Sequence, residues 1–448
     1  MRIALVGPAH PDKGGGARHT TELAHHLAAA GHDVVIVSWR AQYPKRLYPG
    51  QQTVDVAEGA PYPRTRRLLA WYRPDGWPAV GGRVRTADLV VFALLTPIQV
   101  PAYLAIMAGL GRGAGQHGVG QHAPRTAVIC HNVLPHERRP GDVPLVRALL
   151  SGADTVITHS AAQAGQAKAL VPGARVRTVA MPPHLPTAPR QNHETGRAAD
   201  PAPGQRLHGG TQRLHGGTQR LPGGTQRLPG GTQRLPGGTQ RPPGTPQTPM
   251  APAPPATCRL LFFGIVRRYK GLDVLLRALA RAPAHLTLTV AGEFWTDITE
   301  TEYLIAELGL RDRVTLRPGY LPADRIPALF AAADALVLPY REATASQNAL
   351  LAFAHGVPVI TTTAGALAEA VRDGVDGLTC APGDADDLLR ALVRISDPRV
   401  AGRLRAAVPA VDPERGWAAY LQVLLARQAR PPSRWPARFR PRPGRRRS

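Results

Sequence analysis

Leu260-Leu-Phe-Phe-Gly-Ile-Val-Arg-Arg-Tyr-Lys-Gly-Leu-Asp-Val-Leu-Leu276 reads as an apolar strand, a short basic loop and the opening turns of a helix. The strand ends at Gly264. The loop carries Arg267, Arg268 and Lys270, and Leu272, Leu276 and Leu279 set a helical spacing. Outward from it, short apolar runs recur at 286–290, 314–316, 335–338 and 358–361. The first half of the chain repeats the pattern at 3–6, 34–37, 89–95, 127–130 and 155–158, with Leu23, Leu27 and Ala30 marking a helix that Gly31 stops. Apolar strands alternating with helices imply parallel sheets covered on both faces. The expected fold is therefore α/β: two Rossmann-like parallel-sheet domains facing a cleft.

Between and after these halves the chain changes character. A heptapeptide close to Thr-Gln-Arg-Leu-Pro-Gly-Gly recurs from Thr211 to Thr232, with partial copies on either side. One Leu per copy and a closing Gly-Gly can neither sustain a helix nor build an apolar seam. The expected organisation is a first domain at 1–185, a disordered linker at 186–256, a second domain at 257–410, a return helix at 411–428 and a disordered basic tail at 429–448. Residues 411–428 are expected to pack back on the first domain, from about Trp417 onward.

The 448 residues carry a net charge of +24, with 46 Gly and 46 Pro. Residues 190–256 hold eight Arg against Glu194 and Asp200, and 427–448 hold nine Arg and no acid. Most of the excess thus lies outside the two domains, which excludes reading the whole chain as a nucleic-acid binder from charge alone. Residues 89–110 lack charge over a length that could cross a bilayer. Pro97, Gln99 and Pro101 interrupt it, so it reads as a strand, a turn and a helix. Cys130, Cys258 and Cys380 are far apart and odd in number, with neither disulfide nor zinc spacing. A reduced, cytoplasmic setting is expected, with peripheral contact at the inner membrane face through the basic tail.

Chemistry is expected beyond the carboxyl ends of the strands. After the first strand comes Gly7-Pro-Ala-His-Pro-Asp-Lys-Gly14-Gly15-Gly16, then a helix. Glycines allow close backbone approach, and unpaired N–H groups at a helix start attract anions. The loop alone does not separate a phosphate cradle from a plain turn. In the second half Arg267, Arg268 and Lys270 suit a diphosphate, Arg as a planar fork and Lys as a point charge. Pro339-Tyr-Arg-Glu-Ala-Thr-Ala-Ser-Gln-Asn348 follows another strand, with Glu342 in the loop and Thr344 and Ser346 as N-cap residues. His131 stands just past the strand at 127–130, as a packed histidine or a functional one.

The stretches GGGARHTTELAHHLAAAGHDV (14–34), CHNVLPHE (130–137), FFGIVRRYKGLDVLL (262–276), VTLRPGYLP (314–322) and AHGVPVITTTAGALAEAVRDGVDGL (354–378) together resemble the family 4, group 1 glycosyltransferases. The resemblance implies the GT-B fold and a retaining, metal-independent enzyme that takes a nucleotide-diphosphate sugar and needs no further cofactor. It implies that Gly15 approaches the donor diphosphate, and that Gly14 and His19 serve the acceptor. His131 would lie near the transferred sugar, and Lys270 on the diphosphate. Gly319 and Tyr320 would lie near the nucleobase. Two departures stand out. Ile265 replaces the family's arginine after the strand-end glycine, leaving Arg267 as its substitute. Glu342, which the resemblance implies as catalytic together with His131, Arg267 and Lys270, stands one residue before the family's first acid, and Leu351 occupies the place of the second.

The implied mechanism follows from charge. Arg267, Lys270 and the helix start near Thr344 and Ser346 would stabilise the departing diphosphate most as its bond to the sugar breaks. The acceptor, whether a small molecule, a glycan or lipid-linked, would attack from the leaving group's face. Leu351 motivates an alternative, a noncatalytic sugar-nucleotide binder. The basic linker and tail motivate a second, an interaction protein.

Overall fold

A computed structural model describes residues 1–44, 53, 60–111, 123–135, 138–185, 257–343 and 347–426. The heptapeptide repeat, the basic tail, Thr344 and Ser346 lie outside these residues.

The first domain carries seven parallel strands: β1 (Arg2–Val6), β2 (Asp33–Ala41), β3 (Thr65–Ala70), β4 (Leu89–Leu94), β5 (Arg125–Cys130), β6 (Thr155–Thr158) and β7 (Val176–Thr178), in the order β3-β2-β1-β4-β5-β6-β7. Helices α1 (Gly15–Ala29), α2 (Trp77–Val84), α3 (Val100–Gly111), α4 (Asp142–Gly152) and α5 (Ala161–Leu170) cover it. Every residue of β4 is buried, as expected for a central strand sandwiched by helices.

The second domain has six parallel strands: β8 (Cys258–Phe263), β9 (Leu286–Gly292), β10 (Val314–Pro318), β11 (Ala335–Leu338), β12 (Val359–Thr362) and β13 (Gly377–Cys380), in the order β10-β9-β8-β11-β12-β13. Its helices are α6 (Leu272–Arg281), α7 (Ile298–Glu307), α8 (Ile326–Ala331), α9 (Gln347–Ala354), α10 (Leu367–Ala370), α11 (Ala385–Ile395) and α12 (Pro398–Ala406). Leu272, Leu275, Leu276 and Leu279 of α6 fill the core beneath β8 and β9.

The chain then returns. Asp412 caps α13 (Pro413–Leu425) by accepting from the Arg415 N–H at 3.0 Å. Trp417, Tyr420 and Leu424 enter the first domain's core beside Ile3, Leu5, Leu23 and Ile36. The Arg177 guanidinium donates to the Val423 carbonyl at 2.7 Å. This helix begins four residues before Trp417, because Asp412-Pro413 is the true capping signal.

The uncharged run at 89–110 folds as β4, a Thr96-capped turn and the twelve-residue α3. Among the described residues no helix is long and apolar enough to cross a membrane. The three cysteines are free and buried.

Each strand order reverses once, between β1 and β4 and between β8 and β11. Ligands of open parallel sheets bind at such reversals, outside the strands' carboxyl ends. The loops singled out by sequence leave β1, β8 and β11, so they flank both reversals.

Candidate active site

The loop after β1 is braced from beneath. Asp12 accepts from the Ser38 hydroxyl at 3.1 Å and from the Arg67 guanidinium at 2.9 Å. The His10 N–H donates to the Thr21 hydroxyl at 2.9 Å. Burial pushes the Asp12 carboxyl up to about 6, against the opposing pull of Arg67 and Ser38. Gly14 then starts α1 at φ +105°, a conformation open to glycine and strained for other residues. It supplies no side-chain cap, and the first turn holds no acid. The helix start at exposed Gly14 and Gly15 therefore keeps its partial positive charge uncompensated by any cap or first-turn acid among the described residues.

In the second domain the loop after β8 packs against the loop after β11. A β-carbon on Gly264 would lie 3.5 Å from the Lys270 ammonium, so that ammonium sits directly beside the strand end. The same ammonium is 5.2 Å from the centre of the Tyr340 ring. The Arg267 guanidinium lies 4.7 Å from the centre of the Trp295 ring. Burial first, then the neighbouring Arg267 charge, lowers the Lys270 ammonium from its ordinary range. Neither cation has a carboxylate partner among the described residues. Two positive groups, both half-buried, thus share one strand end, which is unfavourable until an anion joins them.

Arg341 holds this arrangement. Its guanidinium makes a two-pronged contact with Asp273 at 2.7 and 2.6 Å and donates to the Arg268 carbonyl at 3.0 Å. Its N–H donates to the Tyr269 carbonyl at 2.7 Å. Asn348 donates to the Phe263 carbonyl at 2.9 Å, tying α9 to the end of β8. Glu342 is exposed in the same loop. Leu351 is buried among Phe330, Leu338 and Leu367, so its apolar character answers to packing. The place of the family's second acid is here a core position.

The two sheets' carboxyl ends meet across the cleft. Lys13, just before Gly14, pairs with Glu293, just after β9, and lies over the Tyr320 ring. The Gly319 N–H, next to Tyr320, donates to the Gly292 carbonyl at 3.0 Å. Gln347 at the start of α9 donates to the Pro182 carbonyl and accepts from the His184 N–H.

His131 follows β5, its N–H donating to Leu94 and its carbonyl accepting from Gln163. Its ring meets His19 edge-on at 4.9 Å and His159 at 5.5 Å. His19 has no exposed surface, with its ring nitrogens 3.1 Å from His184 and 3.1 Å from the Tyr420 hydroxyl. His184 in turn bonds Glu22 at 2.5 Å. Burial, then the proximity of the other imidazoles, holds His19 and His131 well below the ordinary histidine range. The structure thus joins buried His19 and half-buried His131 in one cluster, and Arg267 with Lys270 at a separate strand end. Lys13, Glu293, Trp295 and Arg341 escaped sequence reasoning. A lysine abutting three glycines was the visible signal for the first; the others are defined by contacts across 73 residues or fewer of intervening chain within one domain, or across the cleft.

Two family models match the chain: Glycosyltransferase Family 4 over residues 13–182 and Glycosyl transferases group 1 over 257–397. The D-inositol 3-phosphate glycosyltransferase of Mycolicibacterium smegmatis is 32% identical over 190 residues, 42% of this chain and 43% of the relative. The glycogen synthase of Mycobacterium tuberculosis is 34% identical over 165 residues, 35% of this chain and 39% of the relative. Each match therefore spans less than half of the curated relative's length. Among solved structures, sucrose-phosphate synthase from Thermosynechococcus elongatus superposes with a TM-score of 0.60 at 20% identity, covering 94% of each chain. Anabaena HepE, solved with UDP and glucose, gives 0.60 at 15% identity, covering 94% of this chain and 99% of that one. At these identities the likeness is one of fold, the two-domain GT-B arrangement. With both domains matched in order and both sheets in that arrangement, the chain belongs to the group 1, family 4 glycosyltransferases.

Proposed function

We propose that this protein transfers a sugar from a nucleotide-diphosphate sugar to an acceptor, retaining configuration and without a divalent metal or further cofactor. One observation carries the reading: half-buried Arg267 and Lys270 share the strand end at the second sheet's reversal, with no carboxylate paired to either among the described residues. A diphosphate is the anion whose charge and size suit such a pair. HepE, of like fold, is described with UDP and with UDP-glucose, which supports the donor class. The uncapped start of α1 at Gly14 and Gly15 adds amide donors from the acceptor side.

Charge accumulates on the diphosphate as its bond to the sugar breaks. Arg267 and Lys270 stabilise that state more than the ground state, which lowers the barrier. They supply from side chains the charge that a metal ion supplies elsewhere. The acceptor attacks from the same face. Relatives named for an inositol phosphate and for glycogen differ in acceptor, so the acceptor class is not drawn from them. Three free, buried cysteines suit a reducing, cytoplasmic setting.

The test is Lys270→Ala. Loss of one such donor costs about 3–4 kcal/mol of transition-state stabilisation, so turnover of UDP-glucose or another nucleotide sugar should fall by about two to three orders of magnitude. The circular dichroism spectrum should not change. Near-normal turnover would refute the assignment. Leu351 in the acid's place favours a second reading, a sugar-nucleotide binder without turnover. Slow hydrolysis of a bound donor by the wild-type chain would exclude it.

A further inference from the structure

At the carboxyl end of the second sheet, cations and aromatic rings alternate. The Arg267 guanidinium lies 4.7 Å from the centre of the Trp295 ring and 6.0 Å from that of Tyr269. Tyr269 meets Tyr340 edge-on at 6.2 Å, and the Lys270 ammonium lies 5.2 Å from the centre of Tyr340. Arg341, in the neighbouring loop, is held differently, by the two-pronged pair with Asp273. A carboxylate holds a guanidinium firmly but cancels its charge. A ring attracts the cation through its quadrupole and carries no net charge, so the cation keeps its full pull on an anion.

Trp295 is built into its place. Beyond β8 and β9 the two loops stay paired: the Val266 N–H donates to the Glu293 carbonyl at 2.7 Å, and the Trp295 N–H to the Val266 carbonyl at 3.0 Å. Val266 is buried and Phe294 packs against the same core, so this register is fixed from beneath. It sets Trp295 against Arg267, the residue after Val266. The indole nitrogen also lies 3.5 Å from the Glu293 carboxylate, which pairs with Lys13 of the first domain. Arg267 itself is in extended backbone, at φ −139° and ψ 155°, two residues beyond Ile265 in the family's arginine place. A long side chain reaching from there loses rotamer freedom when it meets a ligand. A fixed ring surface that stacks the planar guanidinium removes part of that loss beforehand.

We propose that Trp295 is a positioning residue of the transfer reaction, which holds the Arg267 guanidinium, still fully charged, toward the donor diphosphate. Trp295 acts through Arg267, so its role rests on the reading of that arginine as a diphosphate ligand.

The test is calorimetric titration of the full-length chain with inorganic pyrophosphate, which has the charge of the diphosphate and neither base nor sugar. Arg267→Ala should weaken binding by about tenfold or more. Trp295→Leu should weaken it about five- to tenfold, and Trp295→Phe, which keeps a ring face, should recover most of that loss. In the Arg267→Ala background Trp295→Leu should change nothing further, because the ring has no guanidinium left to hold. Turnover of a nucleotide sugar should follow the same order. Equal losses from Trp295→Leu in both backgrounds, or from Trp295→Leu and Trp295→Phe alike, would make the ring a structural element only and overturn the proposal. So would undiminished binding by Trp295→Leu where Arg267→Ala loses it. Pyrophosphate that the wild type does not bind, or that Arg267→Ala binds as well, would instead remove the diphosphate reading of Arg267 itself.

Discussion

Lys13, from the loop ahead of α1, is ion-paired across the cleft with Glu293 of the second domain and lies 4.6 Å from the centre of the Tyr320 ring. The Lys13 side chain is 7% exposed and that of Glu293 19%, so both charges are largely desolvated. Removing one partner of such a pair strands the other, whereas removing both relieves the penalty. Lys13→Ala and Glu293→Gln should each destabilise the protein, and the double variant should lose less than their sum. The expected coupling is about 1–3 kcal/mol, read from denaturant unfolding of the four proteins in the cycle. Additive losses would mean that the two loops do not meet in solution.

Gly271 follows Lys270 and starts α6 at φ +66°, and a β-carbon there would lie 2.1 Å from the Pro339 carbonyl oxygen. Glycine at this position lets the loops after β8 and β11 touch. Gly271→Ala should cost about 1–2 kcal/mol from the backbone conformation alone and more from the collision with Pro339. Lys270 and Tyr340 would separate, so nucleotide-sugar affinity should fall as well. Gly383, at φ +76° with nothing within 4 Å, is the control: Gly383→Ala should lose stability without losing donor affinity. Equal effects of the two on donor binding, by calorimetric titration, would remove the close approach as an explanation.

The central strands were legible because burial on both faces writes them as unbroken apolar runs, as in β4 and β11. Three strands went unread, and each has a reason. The edge strand β3 begins Thr65-Arg-Arg, with polar residues facing solvent. β7 is three residues long, and β13 is a four-residue Gly-Leu-Thr-Cys with no pattern to count. The basic loop announced itself at the second sheet's strand end. What holds it did not: Arg341 grips Asp273 from 68 residues away. His19 was legible as a helix residue near the glycines, but its enclosure by Tyr420 depends on a helix returning 401 residues later.

That return can be tested at Trp417. It is 2% exposed, stacks on His26 at 4.4 Å and His19 at 5.4 Å, and shares a core with Leu23 and Ile36. Trp417→Ala should cost about 3–5 kcal/mol, the usual range for emptying an aromatic core site. The loss should appear in the first domain, seen as faster hydrogen exchange in β1 and α1. A variant unfolding at the wild-type denaturant concentration would show that α13 contributes no packing there.

The buried histidines give the protein an acid limit. Burial brings the His159 ring down to about 4, opposed by its bond to the Val179 carbonyl and assisted by His184. A histidine whose folded pKa is depressed contributes stability that is complete above its unfolded value near 6.5 and is lost as pH falls toward 4. At about 1.4 kcal/mol per pH unit, the full contribution is about 3 kcal/mol. Asp12 acts with the opposite sign. Its raised pKa of about 6 makes the carboxyl's contribution largest below about 4 and lost as pH rises through 6. The wild-type curve therefore mixes the two, and the informative quantity is the difference between wild type and His159→Gln. That difference should shrink as pH drops from 7 to 4, because the wild-type protein alone bears the cost of keeping that imidazole neutral. His19 and His131 shift the same way and remain in the variant, so some acid sensitivity persists. Parallel stability curves for the two proteins across this range, measured by denaturant unfolding, would show that His159 titrates as freely in the folded chain as in the unfolded one.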